Sequence, residues 1–302
     1  MAKHVLMRWE TRRSVSFAGR HPNHTLSPQF NHIDTAMKQH QQTRNTQPAM
    51  QAKLKWGNQR EREFTTDVID TDVSNGNRSF FAIQYTEGSD TAYSYIFLNI
   101  PERYLVAGAS LKIGAGEKAE INAYFGSTSI GRSGWATGGS IDITEMDEAS
   151  KAFAATFHYT IEHTMGMVEI VDGSLSLSLA DDAKTNGTGR VTANLDPTIF
   201  PSLGNLDAQT IKSKVLQDGR IQLSARQQVD NASQGILMLF NEQHARLLFL
   251  IGSLGFPMTG GCVKHEWNVE NRTLTAEFTD YVISYQGKDH HITGGSIEVT
   301  LA

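Results

Sequence analysis

The closing strands of this chain are written twice. Thr137-Gly138-Gly139-Ser140-Ile141-Asp142-Ile143-Thr144 leads on to Asp172-Gly173-Ser174-Leu175-Ser176-Leu177-Ser178-Leu179-Ala180. Thr259-Gly260-Gly261-Cys262-Val263-Lys264-His265 leads on, at the same separation, to Gly294-Gly295-Ser296-Ile297-Glu298-Val299-Thr300-Leu301-Ala302. Self-similarity of this kind marks a repeated supersecondary unit. It predicts two tandem β domains, residues 64–180 and 190–302, joined by the polar linker 181–189. The length of 302 residues suits two such units better than one core.

From Phe64 onward the hydrophobic pattern has period two, the mark of strands with one buried face. In the first unit strands are predicted near 64–70, 78–86, 91–99, 104–113, 117–126, 139–145, 151–161, 167–172 and 174–180. In the second they fall near 190–194, 220–227, 235–241, 245–252, 261–268, 272–284, 289–293 and 295–301. Helix and strand compete over 206–217. Turn residues separate these runs, as at Asn75-Gly76-Asn77 and Glu87-Gly88-Ser89-Asp90. The clearest hairpin is 141–157, and its copy, 263–278, matches Phe153 with Leu274 and Phe157 with Phe278. Setting Tyr95–Asn99 against Leu237–Asn241 leaves extra residues in the first unit, placed at 117–137. Insertions relative to a sister repeat map to surface loops, where function concentrates.

The resulting fold class is all-β: tandem, internally repeated antiparallel sandwich or barrel domains behind a mostly irregular N-terminal arm. The run Gly138-Gly139-Ser140-Ile141-Asp142-Ile143-Thr144, with Asp147, Lys151, Phe153 and Phe157 and then Val168-Glu169-Ile170-Val171-Asp172-Gly173, resembles small calycin-like bacterial β-barrel domains. The resemblance implies a surface or binding domain and no particular reaction. Fold alone would not assign a function.

Charge sets the arm apart. Residues 1–63 carry Lys3, Arg8, Arg12, Arg13, Arg20, Lys38, Arg44, Lys53, Lys55, Arg60 and Arg62 against Glu10, Asp34, Glu61 and Glu63, although the whole chain has a net charge of -5. A basic arm on an acidic body can dock on its own body, another copy or a polyanion. Within it, Ser27 and Pro28 open a short predicted helix over 28–42, with Phe30, Ile33 and Met37 on one face. The arm is expected to serve homo-oligomer assembly through these residues together with Arg12 and Arg13. It offers few stacking groups, and no zinc knuckle or RRM pattern accompanies them, which argues against nucleic acid.

Chemistry-bearing patterns are sparse. The run Gly126-Ser127-Thr128-Ser129-Ile130-Gly131-Arg132-Ser133-Gly134-Trp135 reads as an inter-strand loop in which Arg132 and Trp135 could contact a ligand or partner. It lacks the Gly-Lys-Ser/Thr step into a helix that a phosphate-binding loop needs. His158 and His163 fall on opposite strand faces, whereas neighbouring closing strands could bring His265, His290 or His291 toward Cys262, with His265 and His290 the candidate metal ligands. Cys262 stands where the first unit has Ser140, a packing position. No nucleophile elbow occurs, and the carboxylate pairs Asp142/Glu145 and Glu162/Glu169 read as solvent faces. No cofactor motif is present. Neither a Sec-type leader nor an apolar run long enough for a membrane helix is found, so cytoplasmic synthesis is expected, with export by a dedicated route or incorporation in a particle still open. The leading expectation is a non-enzymatic protein presenting β-domain loops to a protein or glycan surface, such as a phage or secretion-particle component. An exported effector that binds host cells and a glycan hydrolase are the alternatives.

Overall fold

The alternation predicted from the sequence becomes twenty strands among the described residues. The computed structural model describes residues 49–58, 60–87, 89, 92–115, 119–180 and 187–301. The expected helix at 28–42 and Arg12, Arg13, Phe30, Ile33 and Met37 lie outside the described residues. In the first half the strands are β1 (Met50–Trp56), β2 (Arg60–Thr66), β3 (Ile69–Ser74), β4 (Asn77–Tyr85), β5 (Tyr93–Pro101), β6 (Ser110–Ile113), β7 (Asn122–Ser127), β8 (Arg132–Met146), β9 (Ala152–Ile161) and β10 (Val168–Ser178). The second half contributes β11 (Gly187–Asp196), β12 (Leu206–Asp207), β13 (Thr210–Val215), β14 (Ile221–Val229), β15 (Ala232–Phe240), β16 (Ala245–Ile251), β17 (Leu254–Pro257), β18 (Thr259–Asn268), β19 (Thr273–Tyr285) and β20 (Lys288–Leu301). The ambiguous stretch 206–217 holds two strands and no helix, β12 and β13, the latter paired from Thr210↔Arg226 to Val215↔Ile221.

The first half is one curled sheet of order β2-β1-β10-β9-β8-β7-β5-β4-β3, with β6 on β8. Long β8 makes the curl. Its start pairs with β7 and its remainder with β9, so the two wings face each other across a shared core. Phe80, Ile96, Leu98 and Phe125 meet Leu54, Ile141, Phe157 and Ile170 there. The second half has the orders β12-β11-β20-β19-β18 and β13-β14-β15-β16-β17, the sequence of neighbours seen in the first half. Its core sets Leu223, Ile236, Met238 and Phe249 against Val191, Phe278, Ile297 and Val299.

A third cluster joins the halves. Alternate residues of β4 and β5 (Phe81, Ile83, Tyr93, Phe97) point away from the first core and meet Leu237, Leu239, Leu248 and Leu250 of β15 and β16. Both central sheets are therefore apolar on both faces, and residues 47–302 cluster as one compact unit of four stacked layers. A buried ion cluster closes one end of this seam. Arg226, 8% exposed, donates from Nη2 to Asp70 Oδ2 and from Nη1 to the Gly252 carbonyl at 2.7 Å. Asp72 Oδ2 lies 3.6 Å from Nη1 and accepts from Ser253 Oγ at 3.2 Å. Burial works against the guanidinium charge, and the two carboxylates outweigh it.

Three expectations need correction. The irregular arm does not run to residue 63, because β1 and β2 occupy 50–66, and Met50, Ala52 and Leu54 turn inward while β1 pairs with β10. The residues that the first half has in excess are not 117–137. The connection from β5 to β7 spans 102–121 and carries β6, whereas β15 to β16 needs only 241–244. Finally, 126–139 is not an open loop but the β7–β8 hairpin with a turn at 128–131. That turn is tied down: Thr128 N–H donates to the Tyr93 carbonyl at 3.0 Å, and Ser127 and Ser129 hydroxyls bond at 2.9 Å.

Candidate functional site

Strand register assembles a site that no single segment carries. Pairings Phe81↔Phe97, Phe97↔Tyr124 and Tyr124↔Trp135 line up one row across four strands. Beside it runs the row Ile83, Tyr95, Gly126, Ser133. On its other side lie Ser79, Asn99 and Asn122. The second half's layer covers Phe81 and Phe97 and leaves the far end of the rows open. Trp135 there is 51% exposed.

The rings at the open end hold one another. Tyr95 lies across Gly126, where any side chain would collide with its ring, and stacks on Tyr124 with centroids 5.7 Å apart and planes 13° apart. The Trp135 indole meets Tyr124 edge-on at 5.0 Å and Phe97 at 6.2 Å, both at 79°. Such T-shaped and offset pairs fix ring orientation and limit the entropy lost when a ligand settles on them. Burial and the neighbouring Tyr124 push the Tyr95 phenol well above its ordinary range, so it stays a neutral donor. Beside the rings stand polar groups at hydrogen-bonding reach of a surface ligand: Asn122 and Thr137 are exposed, Asn99 is half-buried and accepts from Ser79 Oγ at 3.1 Å, and the hydroxyls of Thr137 and Thr160 lie 3.3 Å apart. An indole wall beside packed tyrosines, with a fringe of amides and hydroxyls, can stack a flat apolar face while bonding polar groups around its edge.

Arg132 does not join Trp135 in this surface. Three residues apart on one strand, they face opposite ways. Arg132 Nη2 instead donates to the Met165 carbonyl at 2.7 Å. His265 and His290 sit on β18 and β20 with β19 between them. His265 Nε2 contacts the Asn241 carbonyl at 2.8 Å, and His290 Nδ1 the Pro197 carbonyl at 2.7 Å. Among the described residues no group of three His, Cys, Asp or Glu could hold a metal ion. A cleft of about 530 Å³ lies between Arg78, Glu102, Glu148, Lys151 and Lys212, and within it Arg78 pairs with Glu102 at 3.2 Å and Lys151 with Glu148 at 2.9 Å. Among the described residues no helix is long and apolar enough to cross a membrane.

Sequence reasoning singled out Trp135 and missed Tyr95, Tyr124, Asn99 and Asn122. Alternation along Tyr93–Asn99 already puts Tyr95, Phe97 and Asn99 on one face opposite Ile96 and Leu98. Only the register with β7 and β8 carries that face to Trp135. In the second half the matching positions two residues before Thr-Gly-Gly and across its strands are Pro257, Leu248 and Leu237, so the aromatic surface belongs to the first half alone. Comparison with known proteins finds no matching family model, no matching curated protein and no matching solved structure.

Proposed function

We propose that this is a non-enzymatic binding protein that docks on a glycan-bearing surface through Tyr95, Tyr124 and Trp135, its basic N-terminal stretch serving assembly. The observation that carries the reading is Trp135, half exposed yet held rigid by Tyr124 and Phe97. A large aromatic left in water at the end of a buried row is the kind of group that dominates binding interfaces. The sugar preference follows from the fringe: Asn99, Asn122 and Thr137 supply amide and hydroxyl partners for ring hydroxyls without a net charge beside the indole. Binding of the full chain to immobilised neutral β-linked hexasaccharides, of the glucose and N-acetylglucosamine series, tests this. Trp135→Ala is expected to keep the wild-type circular dichroism and weaken binding about tenfold or more. Equal binding by wild type and variant, or attachment that survives enzymatic deglycosylation of a cell surface, would falsify the glycan reading.

A further inference from the structure

The halves differ at one edge. In the first, β6 pairs with β8 from Ser110↔Asp142 to Ile113↔Gly139, and its Leu111 and Ile113 enter the core. The second half lacks the connection that carries β6, and its counterpart strand β18 ends its sheet with no further strand beside it among the described residues. The side chains show the consequence. Ile141 and Ile143 of β8 are fully buried, whereas Val263, His265 and Trp267, which point the same way from β18, stay half exposed. An open edge with half-wet apolar residues is a template for another strand.

We propose that β18 pairs antiparallel with β18 of a second copy, about a two-fold axis through His265. The charge pattern selects both the occupant and the register. Lys264 and Glu266 lie exposed on the outer face. A two-fold through residue 264 would set lysine on lysine, and one through 266 would set glutamate on glutamate. Centred on 265, each Lys264 faces the other copy's Glu266, and each Val263 faces the other copy's Trp267. Opposite charges directly across a strand pair attract and like charges repel. The apolar-polar alternation of β18 also repeats that of β6 (Ser110-Leu111-Lys112-Ile113), the strand already seated on the equivalent edge. Isologous pairing closes the edge on both copies at once, so assembly stops at two. The proposal is independent of the glycan reading and uses none of its residues.

Sedimentation of the full chain over a concentration series provides the test. Wild type is expected to dimerise. Lys264→Glu sets glutamates face to face twice and is expected to weaken the dimer about tenfold, while Lys264→Glu with Glu266→Lys restores it. The register also sets Cys262 across from position 268 of the second copy, within reach of a disulfide. Asn268→Cys is therefore expected to give a disulfide-linked dimer under oxidation, and adding Cys262→Ser to abolish it. A monomeric wild type overturns the proposal. So does a dimer that ignores Lys264→Glu, including one lost only when residues 1–48 are deleted.

Discussion

At the scale of single residues, what decides this fold is how buried polar atoms are satisfied. Tyr159, fully buried in the first core, donates its hydroxyl to the Tyr124 carbonyl at 3.1 Å, tying the core to the strand that presents the aromatic surface. Burial pushes this phenol well above its ordinary value of 10.0. The unfolded chain therefore releases the proton as pH passes 10 while the native protein keeps it, and the native state binds more protons there. Stability is fully present below pH 10 and falls above it, by about 1.4 kcal/mol per pH unit for such a group. Tyr159→Phe is expected to lose about 1 kcal/mol at pH 7, where only the hydrogen bond is missing. Above pH 10 its decline should be shallower than that of wild type. Urea unfolding at pH 7, 9 and 11 reads both effects, and parallel declines would refute the assignment.

Among the elements, the glycine contacts of β10 and β20 explain why Gly-Ser stands in both strands. Gly173 of β10 lies under the Phe157 ring, and Gly295 of β20 lies under the Phe278 ring. In each case a Cβ would fall inside the van der Waals surface of the aromatic. A ring laid over a strand glycine restores the packing that the missing side chain forgoes. Gly295→Ala should cost about 1–3 kcal/mol, because Phe278 must leave its rotamer or the strands must part. Adding Phe278→Leu should cost less than the two single losses together, since the shorter side chain vacates the contested space. Additive losses in urea unfolding would mean that strain at the glycine is not the cause.

These elements also show how far the sequence could be read. A strand with a clean two-residue alternation, such as 151–161, is legible because one face is buried and the other wetter. The strand β1 is not, because Met50, Ala52 and Leu54 alternate with Gln51, Lys53 and Lys55 inside a basic, polar stretch whose composition argues for disorder. β10 reads as two strands because Asp172-Gly173 looks like a turn, whereas the chain makes a bulge there with Asp172 at a φ of 51° and keeps pairing with β9 on either side. The extra segment was displaced along the sequence because β6 is only four residues long and has no counterpart to align. The candidate site was legible only at Trp135. Tyr124 and Tyr95 reach it through pairings between strands, and register is a property of the folded sheet, not of local sequence.

For the molecule as a whole, the seam between the halves decides whether they unfold together. Phe81, Ile83, Tyr93 and Phe97 bury against Leu237, Leu239, Leu248 and Leu250, so neither central sheet could expose that face to water without a large apolar patch. Removing one charge from the ion cluster at its end tests how tightly the halves are joined. Asp70→Ala leaves the buried Arg226 guanidinium with only the more distant Asp72 and the Gly252 carbonyl, and such an uncompensated charge costs about 3 kcal/mol. Replacing both partners with apolar residues, Asp70→Leu with Arg226→Met, should recover most of that loss, because the cost of burying the charge disappears with the charge. Urea unfolding followed at the first half's Trp56 and Trp135 and the second half's Trp267 should give one shared transition in wild type. In Asp70→Ala the two regions should separate, and in the double variant they should coincide again. A double variant as unstable as Asp70→Ala would show that the seam depends on the shape of these side chains and not on the pairing of their charges.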